Sequence, residues 1–294
     1  MTYLETLKHT LKKLTNTQKK RRLLTLLLVM SLLLILFKSS GSSAVSTTYR
    51  IAYDTYWEKI NLMGKQRNVS AFSQDILDAL GREERQRINL IPVSTSEALY
   101  QGLHNREFDG ILTSLTPTMI NQTTMTFSKP YFKLGSVLVT RTGPSLAGTN
   151  ELSRKIVGVQ ANTPSVLELE KDPSIQIKLY DDILTALNDL DNHAIDGALF
   201  PALPAYVYTT TFYAGKLKIA TTPLTEEGLR LVTLNTPAGK ELVNSFNEGL
   251  HTIKKKEVYS QLLHKWGLVN TEDLNNINEK RSYKPSDEVN PSSV

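Results

Sequence analysis

Apolar and polar positions alternate along the chain in short runs that read as strands and amphipathic helices. Tyr49–Asp54 reads as a strand leading into an aromatic turn at Tyr56 and Trp57. Ser70–Leu80 places Phe72, Ile76, Leu77 and Leu80 on one helical face, with Gly81 as its stop. Arg87–Val93 is a second strand. Ser94–Asn105 is a helix with Ser94 and Glu97 at capping-box spacing, and Gly110–Leu112 is a third strand. Strands alternating with helices in this way predict a mostly parallel sheet.

The same succession recurs downstream. Ile156–Gln160 is a strand. Thr163 begins a helix through Lys171, with Pro164 at its first position. Ile175–Leu179 is a strand, Asp181–Leu190 a helix and Asp196–Phe200 a strand. The segments FDGIL at 108–112 and IDGAL at 195–199 each follow a helix and stand 87 positions apart. This internal repeat predicts two lobes of like construction. Two long extended runs, GSVLVTR at 135–141 and EGLRLVTLN at 227–235, read as strands crossing between the lobes. Amphipathic helices at 237–251 and 256–266 return to the first lobe.

Asp109–Phe132 changes the picture from fold to chemistry. Its strand ends in Thr113 and Ser114, continues to Thr116 and Pro117, and closes with FSKPYF. Hydroxyls and free backbone N–H groups at a strand end suit a small polar or anionic ligand, and ligands of open α/β sheets lie beyond the carboxyl ends of the strands. Four strand ends, at Asp54, Thr113, Gln160 and Phe200, are expected to meet in one interlobe cleft.

Charge divides the chain unevenly. Residues 1–44 hold eight of its 34 Lys/Arg and one of its 29 Asp/Glu, a net +7, which leaves the remaining 250 residues at −2. A nearly neutral folded part makes nucleic acid a poor partner. The basic segment culminates in Lys19-Lys20-Arg21-Arg22 and precedes an apolar run, Leu23–Phe37. This order is that of an exported protein with its basic end in the cytoplasm. Fifteen helical residues are about 22 Å long, short of a bilayer core of roughly 30 Å. That length favours a signal peptide, with Ser42-Ser43-Ala44 as a cleavage site. The long basic segment favours an uncleaved anchor, and both remain open. With no cysteine, a disulfide scaffold, a thiolate zinc site and a lipoprotein anchor are excluded. The five His show no metal-ligand spacing, and no nucleophile-elbow, Walker or dinucleotide motif occurs. No cofactor, metal or catalytic residue is therefore expected.

The motifs IAYD, FDGILTSLT, FSKPYF, VGVQANT and IDGAL, with a closing helix that ends in Lys265-Trp266, resemble the bacterial periplasmic solute-binding proteins of family 3 over about Tyr49–Gly267. The resemblance implies an α/β, two-lobed, type II periplasmic-binding-protein-like fold. Lobe 1 is expected at 49–140 and 231–267, lobe 2 at 141–230 and a disordered tail at 268–294, after an export or anchor segment at 1–44. It implies a periplasmic protein, held at the inner membrane by residues 23–37 if uncleaved, that delivers a small polar, amino-acid-like solute to an ABC importer permease. By position, Trp57 stacks on the ligand beside Asp54. Thr113, Ser114 and Thr116 face its carboxylate, and Gln160, Thr163, Phe200 and Pro201 belong to the second lobe. Two departures stand out. Asn121 occupies the family's carboxylate-binding Arg position, and Pro201 that of the acid pairing with the ligand ammonium. Arg230 is a candidate replacement for the missing charge. The ligand is therefore expected to be atypical. A periplasmic enzyme such as a cyclohexadienyl dehydratase and a ligand-sensing module are the alternatives.

Overall fold

The computed structural model describes residues 47–54, 62, 69–143, 146 and 148–276. The basic segment, the apolar run Leu23–Phe37, the cleavage site at 42–44 and Trp57 lie outside the described residues. Among the described residues no helix is long and apolar enough to cross a membrane.

The first sheet is built from β1 (Thr48–Asp54), β2 (Arg87–Val93), β3 (Gly110–Thr113), β4 (Met125–Phe127), the short β5 (Phe132–Lys133) and β11 (Gly228–Leu234). Its order is β2-β1-β3-β11-β4, with β5 paired to β11. β1, β2 and β3 are parallel, and β11 runs against β3, β4 and β5. The second sheet contains β6 (Ser136–Arg141), β7 (Ile156–Gln160), β8 (Gln176–Tyr180), β9 (Gly197–Pro201) and β10 (Leu217–Ile219), in the order β10-β6-β9-β7-β8. β7, β8 and β9 are parallel, and β6 is antiparallel to β9 and β10. The two sheets thus share one strand order and one pattern of directions. The first sheet takes its antiparallel strand β11 from beyond all the strands of the second sheet, whereas β6 directly precedes the other strands of its own sheet.

Helices fill the faces. In the first sheet Ile51, Leu112 and Leu231 pack against α1 (Val69–Glu84), α6 (Pro237–Lys255) and α7 (Val258–Trp266). On the opposite face Ala52, Ile111 and Val232 meet Leu99 and Leu103 of α2 (Ser96–His104). In the second sheet Val137, Ala198 and Phe200 pack against α4 (Ile183–Asp191) and α5 (Ala202–Thr210), while Val157, Val159 and Leu199 meet Leu169 of α3 (Pro164–Leu169). The expected two-lobed α/β fold is therefore present.

Its details depart from the sequence reading in four places. Gly81 does not stop α1. It sits in the helix because Gln86 donates its N–H to the Gly81 carbonyl, and a Cβ there would lie 2.6 Å from the Gln86 carbonyl oxygen. α2 is capped by Thr95, whose hydroxyl accepts from Ala98 N at 3.1 Å, while Glu97 pairs with Gln101 instead of closing a capping box. The expected lobe limits at 140 and 230 fall inside β6 and β11, each of which belongs wholly to one sheet. The chain passes between sheets at 134–135 and again at 220–227. Gly135 and Gly228 allow this close passage, since a Cβ would lie 2.1 Å from the Thr225 carbonyl oxygen and 2.6 Å from that of Phe132. Finally, residues 268–276 are packed. Leu268 enters the first core and Leu274 the second, and Thr271 donates to the Lys133 carbonyl at 2.8 Å. An apolar residue at each end of a polar segment was too sparse a pattern to announce this. The remainder of the expected tail lies outside the described residues.

Candidate functional site

At the ends of the first sheet's strands, Asp54 closes β1 and Thr113 closes β3. The Thr113 hydroxyl oxygen accepts from Leu115 N at 3.1 Å, which leaves its proton free to donate. Ser114 is exposed, and Thr116 and Asn121 are half-buried. Asn121 is used inside its own loop. Its Oδ1 accepts from Thr118 N at 2.7 Å, its Nδ2 donates to the Thr116 carbonyl at 3.0 Å, and its N–H donates to the Thr118 hydroxyl at 3.2 Å. That amide is a loop fastener, with one of its two N–H donors and its oxygen already engaged.

Arg230 differs most from its expectation. It could have been an exposed charge, but it is 2% exposed. The β11 register sets it directly opposite Thr113. Cross-strand partners share a sheet face, so both side chains stand on the side of Ile111 and Val232. Its Nη2 donates to the Glu226 carbonyl. Its Nε is buried with no partner. Burial pushes the guanidinium below its ordinary value while the carboxylates of Glu226 and Glu227 oppose that shift, and arginine remains charged throughout. Glu227 is half-buried, and its Oε2 also lacks a partner. The β-pattern of GLRLVTL marked Arg230 as a face-alternating position, but which face it took needed the register.

In the second sheet Gln160 ends β7 and donates its Nε2 to the Asp181 carbonyl at 3.2 Å. Thr163 holds the N-cap position of α3, but its hydroxyl donates backward to the Gln160 carbonyl at 2.7 Å and accepts nothing from the helix. It therefore fastens the strand-to-helix turn. Phe200 is placed in the second core and not on an exposed strand end. It is 0% exposed within the second core. The period-2 alternation of β9 turns Phe200 to the same face as Ala198, toward α4 and α5. Pro201 follows at the strand end and opens α5.

Three hydroxyls that the sequence reading missed join this region to the crossings. Ser165, at the second position of α3, donates to Ser136 Oγ at 2.6 Å, and Ser136 N donates to Thr225 Oγ1 at 2.8 Å. All three are buried. No motif marks isolated Ser and Thr of this kind, so only the fold reveals the chain they form.

Among the described residues no group of three or more His, Asp or Glu is placed to hold a metal ion. A family model for bacterial extracellular solute-binding proteins, family 3, matches residues 49–269. The chain belongs to that family. This family 3 protein is 23% identical over 219 residues to the Virulence sensor protein BvgS of Bordetella pertussis, a match of 74% of the chain but only 17% of BvgS. It therefore spans about a sixth of that relative's length. It is 20% identical over 223 residues to the Probable histidine-binding protein of Neisseria gonorrhoeae, covering 74% of the chain and 82% of that protein. Among solved structures it resembles the second substrate-binding domain of a putative amino acid ABC transporter from Streptococcus pneumoniae. The TM-score is 0.52 at 23% identity, with 74% of this chain and 99% of that one covered. At that identity the likeness concerns the fold.

Proposed function

We propose that this family 3 protein is the substrate-binding component of an ABC-type importer. It works in the periplasm and takes up an amino-acid-like solute between its two lobes. The observation that carries this reading is the duplicated sheet, in which the corresponding strands β3 and β9 end in a hydroxyl-bearing loop and at a helix start, respectively. Ligands of such sheets gather beyond the carboxyl ends of the strands, and two crossings permit a hinge. Thr113, Ser114, Thr116, Gln160, Thr163 and Pro201 are the described candidates for its lining, and Asp54 and Trp57 are further candidates from the sequence. The names of the histidine-binding relative and of the amino acid transporter domain support the solute class.

The ligand is atypical in this reading. Asn121 is engaged in its own loop, and Pro201 carries neither charge nor N–H. Losing two charge-assisted hydrogen bonds, each worth about 1.5–3 kcal/mol, weakens a zwitterion by roughly two to four decades. The test is calorimetry and ligand-induced melting shifts against the twenty standard amino acids. Micromolar binding of any of them would overturn the atypical reading, and turnover of a bound compound would favour an enzyme. A second reading, a ligand-sensing domain, is favoured by the similarity to a virulence sensor. Solute uptake that survives deletion of the protein would favour that reading over transport.

A further inference from the structure

The two sheets are built so alike that their residues can be compared one for one. Asp109 and Asp196 each donate an N–H to the carbonyl of a residue at the start of the neighbouring strand, Arg50 or Ile156. Each also accepts that residue's N–H on Oδ2, at 2.7 and 2.9 Å. Three positions earlier, Arg106 and His193 hold the same left-handed backbone, with φ of 62° and 63°. An offset of 87 therefore relates β3 to β9 residue by residue, and it makes Phe200 the counterpart of Thr113. The antiparallel partners follow. Val137 faces Phe200, and Arg230 faces Thr113.

The second sheet fills this slot with two fully buried apolar side chains, Val137 and Phe200. The first sheet fills it with a guanidinium and a hydroxyl. Packing does not require this, because the sister sheet shows that Val and Phe satisfy it. A buried charge carries a desolvation penalty, and an unpaired one keeps it. Among the described residues Arg230 makes one hydrogen bond, to a backbone carbonyl, and Nε makes none. Among the described residues no carboxylate stands within ion-pair distance of it; Glu226 and Glu227 act on it only from farther away. The neighbouring Thr113 keeps a free hydroxyl proton. An acceptor-rich anion beside Thr113 would satisfy both.

We propose that Arg230, assisted by Thr113, is the anion anchor of this protein, and that its solute carries a carboxylate bound there in place of the Asn121 position. This rests on the interlobe reading above and names the class of solute it takes. Carboxylate and guanidinium match in planar, bidentate geometry. On the second lobe Gln160 and Pro201 supply no opposing charge, so the preferred solute is an acid with no ammonium group of its own.

The experiment is isothermal titration of the full chain with propionate, succinate, propionamide and alanine, repeated for Arg230→Gln and Arg230→Lys. Propionate or succinate should bind at least about tenfold more tightly than propionamide, as expected for loss of one charge-assisted contact. Arg230→Gln should abolish that preference, and Arg230→Lys should restore part of it. The melting temperature of unliganded Arg230→Gln should stay level or rise, whereas a residue with only a packing role would lower it. The anchor is overturned if amide and acid bind alike, if Arg230→Gln keeps the preference, or if neither acid binds at millimolar concentration. Binding of any solute that ignores Arg230 would leave the interlobe site standing while removing this anchor. Arg230-dependent binding of alanine would keep the anchor and remove only the atypical ligand.

Discussion

The two lobes use one plan for different ends. Both place a strand after a helix through an Asp-Gly pair, both bracket the neighbouring strand with that aspartate, and both set one antiparallel strand beside the Asp-Gly strand. They part at the same place, the last turn of the strand that reaches the candidate site. In the second lobe that position is core, with Phe200 against Val137. In the first it is Thr113 against a buried, incompletely bonded Arg230. The scaffold is held constant and the slot is altered, which is the difference the proposed anion anchor accounts for.

The comparison can be broken hardest by exchanging the slots. Val137→Arg puts a charge into a core that has no partner for it, and urea unfolding should show a loss of about 5 kcal/mol or more, or no soluble protein at all. Near-normal stability would show that the second slot tolerates charge as the first does. Phe200→Ala comes next, at about 3–5 kcal/mol for a buried ring with a cavity left behind, against about 1 kcal/mol or less for Thr113→Ala, which loses a single hydrogen bond. Equal effects would dissolve the contrast between core and site.

The aspartates sharpen the likeness instead. Asp109→Ala and Asp196→Ala should each cost about 1–2 kcal/mol, through a strand N–H left without its acceptor, and the two losses should agree. A large disparity in hydrogen-exchange protection at Arg50 and Ile156 would show that the duplication is only superficial.

The smallest effect concerns the segment after α7, which fastens one lobe to the other. Burial alone raises the Glu272 carboxyl, but hydrogen bonds and charge from Lys254 and Lys133 outweigh it and hold the group below its ordinary 4.5. Lys133 stands 3.1 Å away, on β5 beside the crossing. A depressed carboxyl contributes stability that is present above its unfolded value and is lost as the pH falls through the folded one. Acidification below about pH 4.5 should therefore loosen this segment by ~0.5–1 kcal/mol. Glu272→Gln should remove that part of the pH dependence, and an unchanged acid limb in the variant would show that the segment is held by Leu268 and Leu274 alone.

Much of the fold was legible because it rests on local signals. Apolar periodicity located β1 through β3 and β7 through β9. The DG pairs at 109 and 196 announced the duplication, and GSVLVTR and EGLRLVTLN declared themselves as strands. What failed had no local signal. Strand membership of β6 and β11 depends on which sheet offers an unpaired edge. Phe200 and Arg230 are both alternating strand positions, and alternation shows that a side chain faces one side without saying what is there. Asn121 and Thr163 occupied expected positions, yet each directs its polar atoms to neighbours three to five residues away.

The amino-acid sequence by itself determined the family, the class of fold and its duplication, because helical and strand periods, turn residues and repeated motifs act within a few residues of chain. The tertiary structure alone decided which residue of the slot would be core and which would carry a charge. Burial and partnership of Arg230 are set by strand register across more than one hundred residues, from Thr113 to β11, and no short stretch of sequence records that distance.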